Sequence, residues 1–288
     1  VELIRPKNNS YKSAGEKYIT NSMSQENREQ IKTYMSAIWE GVSANIVKDR
    51  KLTKEEFERQ VSDLQGCLPQ DALKNKLVDK LSFKTNLMDD ISKEIVAQNK
   101  LKEGTKANFV KYSKYRKSVT DIFNHKKDNI AIVYAYGDVN QGKGSELSIG
   151  SETIVKALQQ AAKNKSVKAV VLRVNSPGGD AIASELITNE VIKTKKIKPV
   201  IVSMGDVAAS AGYEMSSNAT KIVALPLTIT GSIGVFGVMP NFARSLKNNL
   251  GITFDTVKTH SNSVAMSVTT KPSPEFKIMM QRNVENFY

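Results

Sequence analysis

The sequence predicts an α/β domain with parallel strands across its second half, and three observations carry that expectation. Apolar runs of strand length recur at residues 130–136, 168–174, 199–204 and 221–225. An amphipathic helical stretch at 151–164 and a helix at 181–194 separate the first three runs, and a further helix starts in 209–217. The strands end in glycine-bearing turns: N-S-P-G-G-D at 175–180, and Gly205 after the third run. Strands and helices alternating at these spacings give parallel strands joined by right-handed crossovers. The carboxyl ends of such strands are where open α/β sheets hold their sites. The run at 130–136 reads as a strand of the fully buried type.

The first half has a different texture. Residues 1–20 read as a short strand and a loop running into a helix. Residues 24–48 carry helical periodicity, with Ile31, Met35, Ile38, Val42 and Ile46 on one face. Helices are also expected at 53–64 and 70–81. The lysine-rich, weakly periodic stretch at 93–123 reads as a partly helical connection and a domain boundary. A faint internal repeat runs at a constant offset of 249: Ser24 falls on Ser273, Glu26 on Glu275 and Trp39 on Tyr288. The simplest account is two tandem copies of one domain. The expected division is 1–100 for the C-terminal part of the first copy, 101–127 for the connection and 128–288 for the second copy. Position 12 maps to Ser261, so Lys12 has no lysine counterpart in the second copy.

With 288 residues and 40% hydrophobic content, the chain can bury one large core or two ordinary ones. It begins at Val1 and ends at Tyr288 within a helical pattern, so it reads as a piece of a longer chain. A net charge of +13 points toward nucleic acid or an anionic membrane surface. The lysines, however, are spread along helical stretches at 74–84 and 93–117 without interleaved exposed aromatics, which describes a solvated surface. No nucleic-acid partner is expected. Cys67 stands alone, so the chain holds no internal disulfide, and its helical context assigns it to packing. His125 and His260 lie in polar, loop-like stretches without metal-ligand spacing, so no metal is expected. No run approaches the roughly 18 apolar residues that span a bilayer.

Three segments carry chemistry. In G-D-V-A-A-S-A-G-Y (205–213) a strand ends at a glycine and Ser210 lies near the start of the next helix, among alanines and a glycine. Small neighbours admit a substrate backbone, and a helix N-terminus offers free N–H groups to an oxyanion. Taken alone, the segment fits a helix-capping serine better than a nucleophile. The paired glycines of 175–180 expose backbone N–H groups, or simply make a strand–helix turn. In T-I-T-G-S-I-G-V-F-G (228–237), Ser232 sits where its hydroxyl could orient an amine, or where a glycine-shaped turn enters a strand. A serine nucleophile needs a base, and no His/Asp pair accompanies these motifs. A neutral, buried lysine can serve, but the residues alone do not choose it among 42 Lys and Arg.

Together these segments resemble the signal peptide peptidase A family. The runs at 170–180, 202–213 and 224–237 occur in that family's order and spacing. The N-terminal Y-K-S-A-G-E-K-Y-I from Tyr11 and M-S-Q-E-N-R-E from Met23 are similar to the first repeat of its long form. The resemblance implies a crotonase/ClpP-like superfold and a serine peptidase with Ser210 as nucleophile and Lys12 as base. It implies an oxyanion N–H from Gly179 and an orienting role for Ser232; we take the Ala211 N–H as the second oxyanion donor. It needs no cofactor. It implies apolar peptide substrates such as cleaved signal peptides, and a homo-oligomer such as a tetramer. It also implies attachment to the bacterial inner membrane through a segment outside this sequence, with the catalytic part on the extracytoplasmic side. The chain departs from the family pattern at Ala211 and Lys76, where glycine is usual. Two rival classes stay open. A crotonase-type acyl-CoA enzyme would turn over thioesters without Ser210, and an inactive assembly scaffold would keep only the fold.

Overall fold

A computed structural model describes every residue except 8, 103, 121–127 and 288, and the side chains of 119 and 120 are left undescribed. His125 and the Trp39–Tyr288 pairing of the repeat fall on residues outside the described set. In chain order the elements are β1 (Glu2–Ile4), α1 (Gln25–Arg50), α2 (Lys54–Ser62), α3 (Pro69–Lys74), α4 (Leu87–Gln98) and α5 (Tyr112–Thr120). They continue with β2 (Asn129–Tyr136), β3 (Asp138–Asn140), β4 (Gly144–Ser145), β5 (Ser148–Gly150), α6 (Ser151–Lys163), β6 (Val167–Ser176) and α7 (Ala181–Lys195). The last are β7 (Val200–Ala209), α8 (Ala211–Ser217), β8 (Lys221–Val223), β9 (Ile229–Gly231), β10 (Gly237–Met239), α9 (Ala243–Leu250) and α10 (Pro274–Asn286). The chain separates into two compact units, Val1–Ile38 with Asp128–Tyr288, and Trp39–Lys127.

The first unit is built on a parallel sheet in the order β2-β6-β7-β8, with β9 alongside the far end of β7. Val170, Leu172 and Val174 of β6 and Val200, Val202 and Met204 of β7 pack with Ile154 and Leu158 of α6 and with Ile187 and Val191 of α7. Only one face of the sheet is covered in this way. The expectation that 130–136 is buried on both faces therefore fails. Val133 and Ala135 enter the core, while Ile130, Ile132, Tyr134 and Tyr136 are 56–70% exposed. A small sheet, β3-β5-β4, adjoins the main one. Val139 of β3 forms an isolated parallel bridge with Gly179. β1 pairs antiparallel with β10 and is tied to α10 by Lys277–Glu2 at 2.7 Å and by Gln281 donating to the Arg5 carbonyl. This is how a segment far upstream in sequence enters the unit.

The second unit is helical. Trp39 and Phe57 stack with ring centroids 5.8 Å apart, and the Trp39 indole N–H donates to Glu58 at 2.8 Å. Thr53 caps α2 and Pro69 opens α3. α3 ends at Lys74 rather than near 81, because the chain turns left-handed at Lys76, φ +61°. That position suits glycine, so the lysine there carries strain of about 1 kcal/mol. Lys76→Gly is expected to raise stability by about 0.5–1 kcal/mol, read from denaturant midpoints. The apolar stripe on α1 is not a buried seam: Ser43 is its one buried residue among those described, and Met35 is 57% exposed. Cys67 is exposed in the turn between α2 and α3, so packing does not explain it. Tyr112 and Tyr115 stand exposed between Lys111, Lys114 and Lys117, because spacings of three place them on one helix face. Aromatics are thus interleaved with lysines there, against the sequence expectation.

Candidate active site

The register of β6 and β7 breaks where the site begins. Val174 pairs with Met204 but Ser176 with Ala208, so four steps along β7 match two along β6. Asn175 fills the resulting bulge, its Oδ1 accepting the Val207 N–H at 3.0 Å. Gly205 is required there, since a Cβ would lie 2.9 Å from the Asn175 side chain. Thr228 donates to the Gly205 carbonyl and Thr230 to the Ala208 carbonyl, both at 2.8 Å. β7 thus continues past Gly205, where the sequence placed its end, to Ala209.

Ser210 is the single residue between β7 and α8, at φ +53°, ψ −121°. A side chain at positive φ costs on the order of 1 kcal/mol. Backbone bonds hold it: its N–H donates to the Gly231 carbonyl at 2.8 Å and its carbonyl accepts from the Glu214 N–H at 2.9 Å. The side chain makes no capping bond to the helix. The capping role that the local sequence favours is therefore wrong, because this backbone turns the hydroxyl away from the first helical turn.

Lys12 reaches the same point from upstream and is 4% exposed. Its Nζ lies 2.6 Å from the Ser232 carbonyl oxygen, 3.1 Å from Ser232 Oγ and 3.5 Å from Ser210 Oγ. Among the described residues no carboxylate pairs with it. Burial alone pushes its ammonium below the ordinary lysine value. A neutral amine has two N–H donors and one lone pair. With both donors given to Ser232, the lone pair is left for the Ser210 hydroxyl. The loop at 231–232 fixes both partners at once, since Gly231 holds the Ser210 backbone and Ser232 holds the Lys12 amine.

Gly178 and Gly179 form the facing wall. A Cβ on Gly178 would sit 2.7 Å from Ser210 Cβ, and one on Gly179 would sit 2.2 Å from the Val139 carbonyl oxygen. The Val139 N–H donates to the Gly178 carbonyl and the Asp180 N–H to the Val139 carbonyl. These bonds complete the bridge without the Gly179 N–H, which is left available. The Ala211 N–H opens α8 and has no acceptor within the helix. Ala211 tolerates a side chain because its φ is not positive, whereas a Cβ on Gly212 would meet the Ser176 carbonyl at 2.8 Å. Gly179, Ser210 and Ala211 line one cavity of about 170 Å³. All five side chains or N–H groups expected from the sequence, those of Lys12, Gly179, Ser210, Ala211 and Ser232, thus meet in one place.

Other residues that position the site carry no sequence signal. Gln30 of α1 donates to the Tyr11 carbonyl (3.0 Å) and to Ser13 Oγ (2.9 Å), clamping the chain on both sides of Lys12. Asn9 donates to the Ile233 carbonyl at 3.1 Å, docking that loop on the one bearing Ser232. Buried Glu16 accepts from the Ser24 N–H and Asn27 Nδ2 and faces Arg5 at 3.7 Å. These bonds hold the Glu16 carboxyl below its ordinary range despite burial. His260 lies in an exposed bend. Among the described residues no group of His, Cys, Asp and Glu could hold a metal ion, and no helix is long and apolar enough to cross a membrane.

The model for Peptidase family S49 matches residues 2–102 and 192–288. The chain is 34% identical to Protease 4 of Haemophilus influenzae over 96% of its own length and 46% of that protein's. It is 31% identical to the chloroplastic serine protease SPPA of Arabidopsis thaliana, over 96% of this chain and 41% of that one. It spans less than half the length of these relatives. Among solved structures, ClpP1 from Listeria monocytogenes is similar at 30% identity with a TM-score of 0.25, over 31% of this chain and 46% of that one. The family match, with the parallel sheet and the helices on one of its faces, makes this a crotonase/ClpP-like α/β fold.

Proposed function

Because the chain belongs to peptidase family S49, we propose that it hydrolyses peptide bonds with Ser210 as nucleophile and Lys12 as general base. One observation carries this reading above the others: a buried lysine amine, paired with no carboxylate among the described residues, aimed at a serine hydroxyl by a second serine. Neutral Lys12 takes the Ser210 proton as Oγ attacks the peptide carbonyl. The N–H groups of Gly179 and Ala211 receive the oxyanion. Protonated Lys12 gives its proton to the leaving amine, which departs and leaves an acyl-serine. Lys12 then takes a proton from water, whose oxygen attacks the ester; as the ester bond breaks, Lys12 returns that proton to Ser210 Oγ and the acid is released. The 3.5 Å separation is a resting distance that has to tighten when substrate binds.

Extended apolar peptides, such as cleaved signal peptides at the extracytoplasmic face of a bacterial membrane, are the substrates we assign. A homo-oligomer is supported by the uncovered row Ile130, Ile132, Tyr134 and Tyr136, since both faces of a parallel sheet are ordinarily buried. The two-copy reading is supported by matching starts of α1 and α10. Ser24 Oγ accepts the Asn27 N–H and Ser273 Oγ accepts the Phe276 N–H, with the same spacing and the offset of 249.

Hydrolysis of a quenched apolar peptide as a function of pH tests the reading. The reactive form has lost the Lys12 proton, so kcat/KM is expected to rise with pH through a value below the ordinary lysine range and then level off. A profile flat down to mildly acidic pH would count against Lys12 as base.

A further inference from the structure

The mechanism above gives no part to one carboxyl in the site. Glu214 stands one turn beyond Ser210 on α8, and its side chain lines the cavity shared by Gly179, Ser210 and Ala211. One oxygen, Oε2, lies 2.5 Å from Ser184 Oγ. Ser184 is fully buried and also lies 3.0 Å from the Ala181 carbonyl. Ser184 thereby fixes the direction of the carboxyl. The other oxygen, Oε1, has no hydrogen-bond partner among the described residues. No lysine, arginine or histidine among them pairs with Glu214. Burial pushes its carboxyl above the ordinary range and nearby Glu185 adds to this, while the Ser184 bond opposes it.

In a chain of net charge +13, an uncompensated carboxyl beside a nucleophile calls for a cation from outside. A half-buried carboxylate is costly without a partner and gains a charge-assisted bond when a ligand supplies one. The rest of the cavity suits the stem of such a ligand, for Ile233, Val235 and Phe287 line it. At about 170 Å³ it is smaller than the ~300–1,000 Å³ of pockets that hold a whole small ligand. It therefore matches a single side chain.

We propose that Glu214 is the specificity-determining residue of the subsite beside Ser210, and that this subsite takes a basic side chain from the residue whose carbonyl is attacked. The proposal rests on the reading of Ser210 as nucleophile. It places one lysine or arginine at the cleaved bond of an otherwise apolar peptide.

The test uses paired quenched peptides, apolar apart from one position that carries lysine or its uncharged analogue norleucine, with that position moved along the sequence. The wild type is expected to prefer lysine at the cleaved position by about tenfold or more in kcat/KM, as charge pairing in a desolvated pocket gives. Glu214→Gln keeps the shape and the contact to Ser184, and is expected to bring the ratio of the two peptides close to one. Binding of the same peptides to Ser210→Ala, read by fluorescence anisotropy, is independent of turnover. A lysine preference there that disappears in Ser210→Ala combined with Glu214→Gln supports the subsite even if the wild type cleaves neither peptide. Inertness of the wild type would overturn the peptidase reading alone. No lysine preference in either assay, or the same ratio in Glu214→Gln as in wild type, overturns the assignment of Glu214.

Discussion

Lys12→Met is expected to lower kcat for peptide hydrolysis by at least ~10³-fold while raising the melting temperature. The two effects have one cause. Among the described residues the buried amine is hydrogen-bonded only to neutral oxygens and paired with no carboxylate. Its charged form is therefore penalised by the fold, which is why its pKa falls below the ordinary 10.5. Methionine fills similar space without the charge, and Ser232, which is exposed, can turn to water. A gain of about 1 kcal/mol would appear as about 2–4 °C. The sign with pH follows from linkage. Below the folded-state pKa of Lys12 the wild type bears the full penalty. As pH rises from that value toward the unfolded-state value the penalty disappears. The advantage of Lys12→Met should thus be greatest at neutral and acidic pH and vanish near pH 10.5. Ser210→Ala should lose as much activity, and the double variant little more, because a nucleophile and its base act as one unit. A Lys12→Met enzyme that retains wild-type kcat would move the base elsewhere.

Gly179→Ala is expected to damage folding and catalysis together. Its Cβ would fall 2.2, 2.7 and 2.9 Å from the oxygen, nitrogen and carbon of the Val139 backbone, and no side chain is there to move aside. The backbone at φ +152° is also one that a residue with a Cβ rarely adopts. The bridge to Val139 must open, and the Gly179 N–H moves with it. Removing one oxyanion donor costs about 10²–10³-fold in kcat, and the broken bridge adds a stability loss of about 2–4 kcal/mol. Calorimetry and steady-state kinetics on the same preparation separate the two. A lower melting temperature with an unchanged kcat would remove the Gly179 N–H from the oxyanion hole.

The main-sheet strands β2, β6, β7 and β8 and the helices α6 and α7 are legible in the sequence because their apolar runs and helical stretches have the right lengths and alternate, whereas β3, β4 and β5, two or three residues each, have no apolar run to mark them. The extension of β7 beyond Gly205 is not legible either. Its bulge depends on Asn175 and Thr228, which lie on other elements. Ser210 is ambiguous locally, since a cap and a nucleophile share the same small-residue surroundings. What separates them is the φ of +53°, which the Gly231 carbonyl helps to hold. Lys12 is invisible to composition and spacing, for a base lysine is defined by its burial. That burial is assembled by Gln30, Asn9 and the β1–β10 pairing from distant parts of the chain. The family resemblance supplied Lys12 where the physics of a short window could not. The stripe on α1 misleads in the opposite way, as a helical pattern with no burying partner among the described residues.

The most direct test of the central claim is phosphonylation of Ser210 by a peptide fluorophosphonate, in which Oγ displaces fluoride from phosphorus, followed by intact mass across pH in wild type and Lys12→Met. The account predicts one adduct per chain in the wild type, forming at a rate that rises through a single titration below the ordinary lysine range, and no adduct in Lys12→Met on the same time scale. Equal rates with equal pH dependence in the two proteins would contradict it.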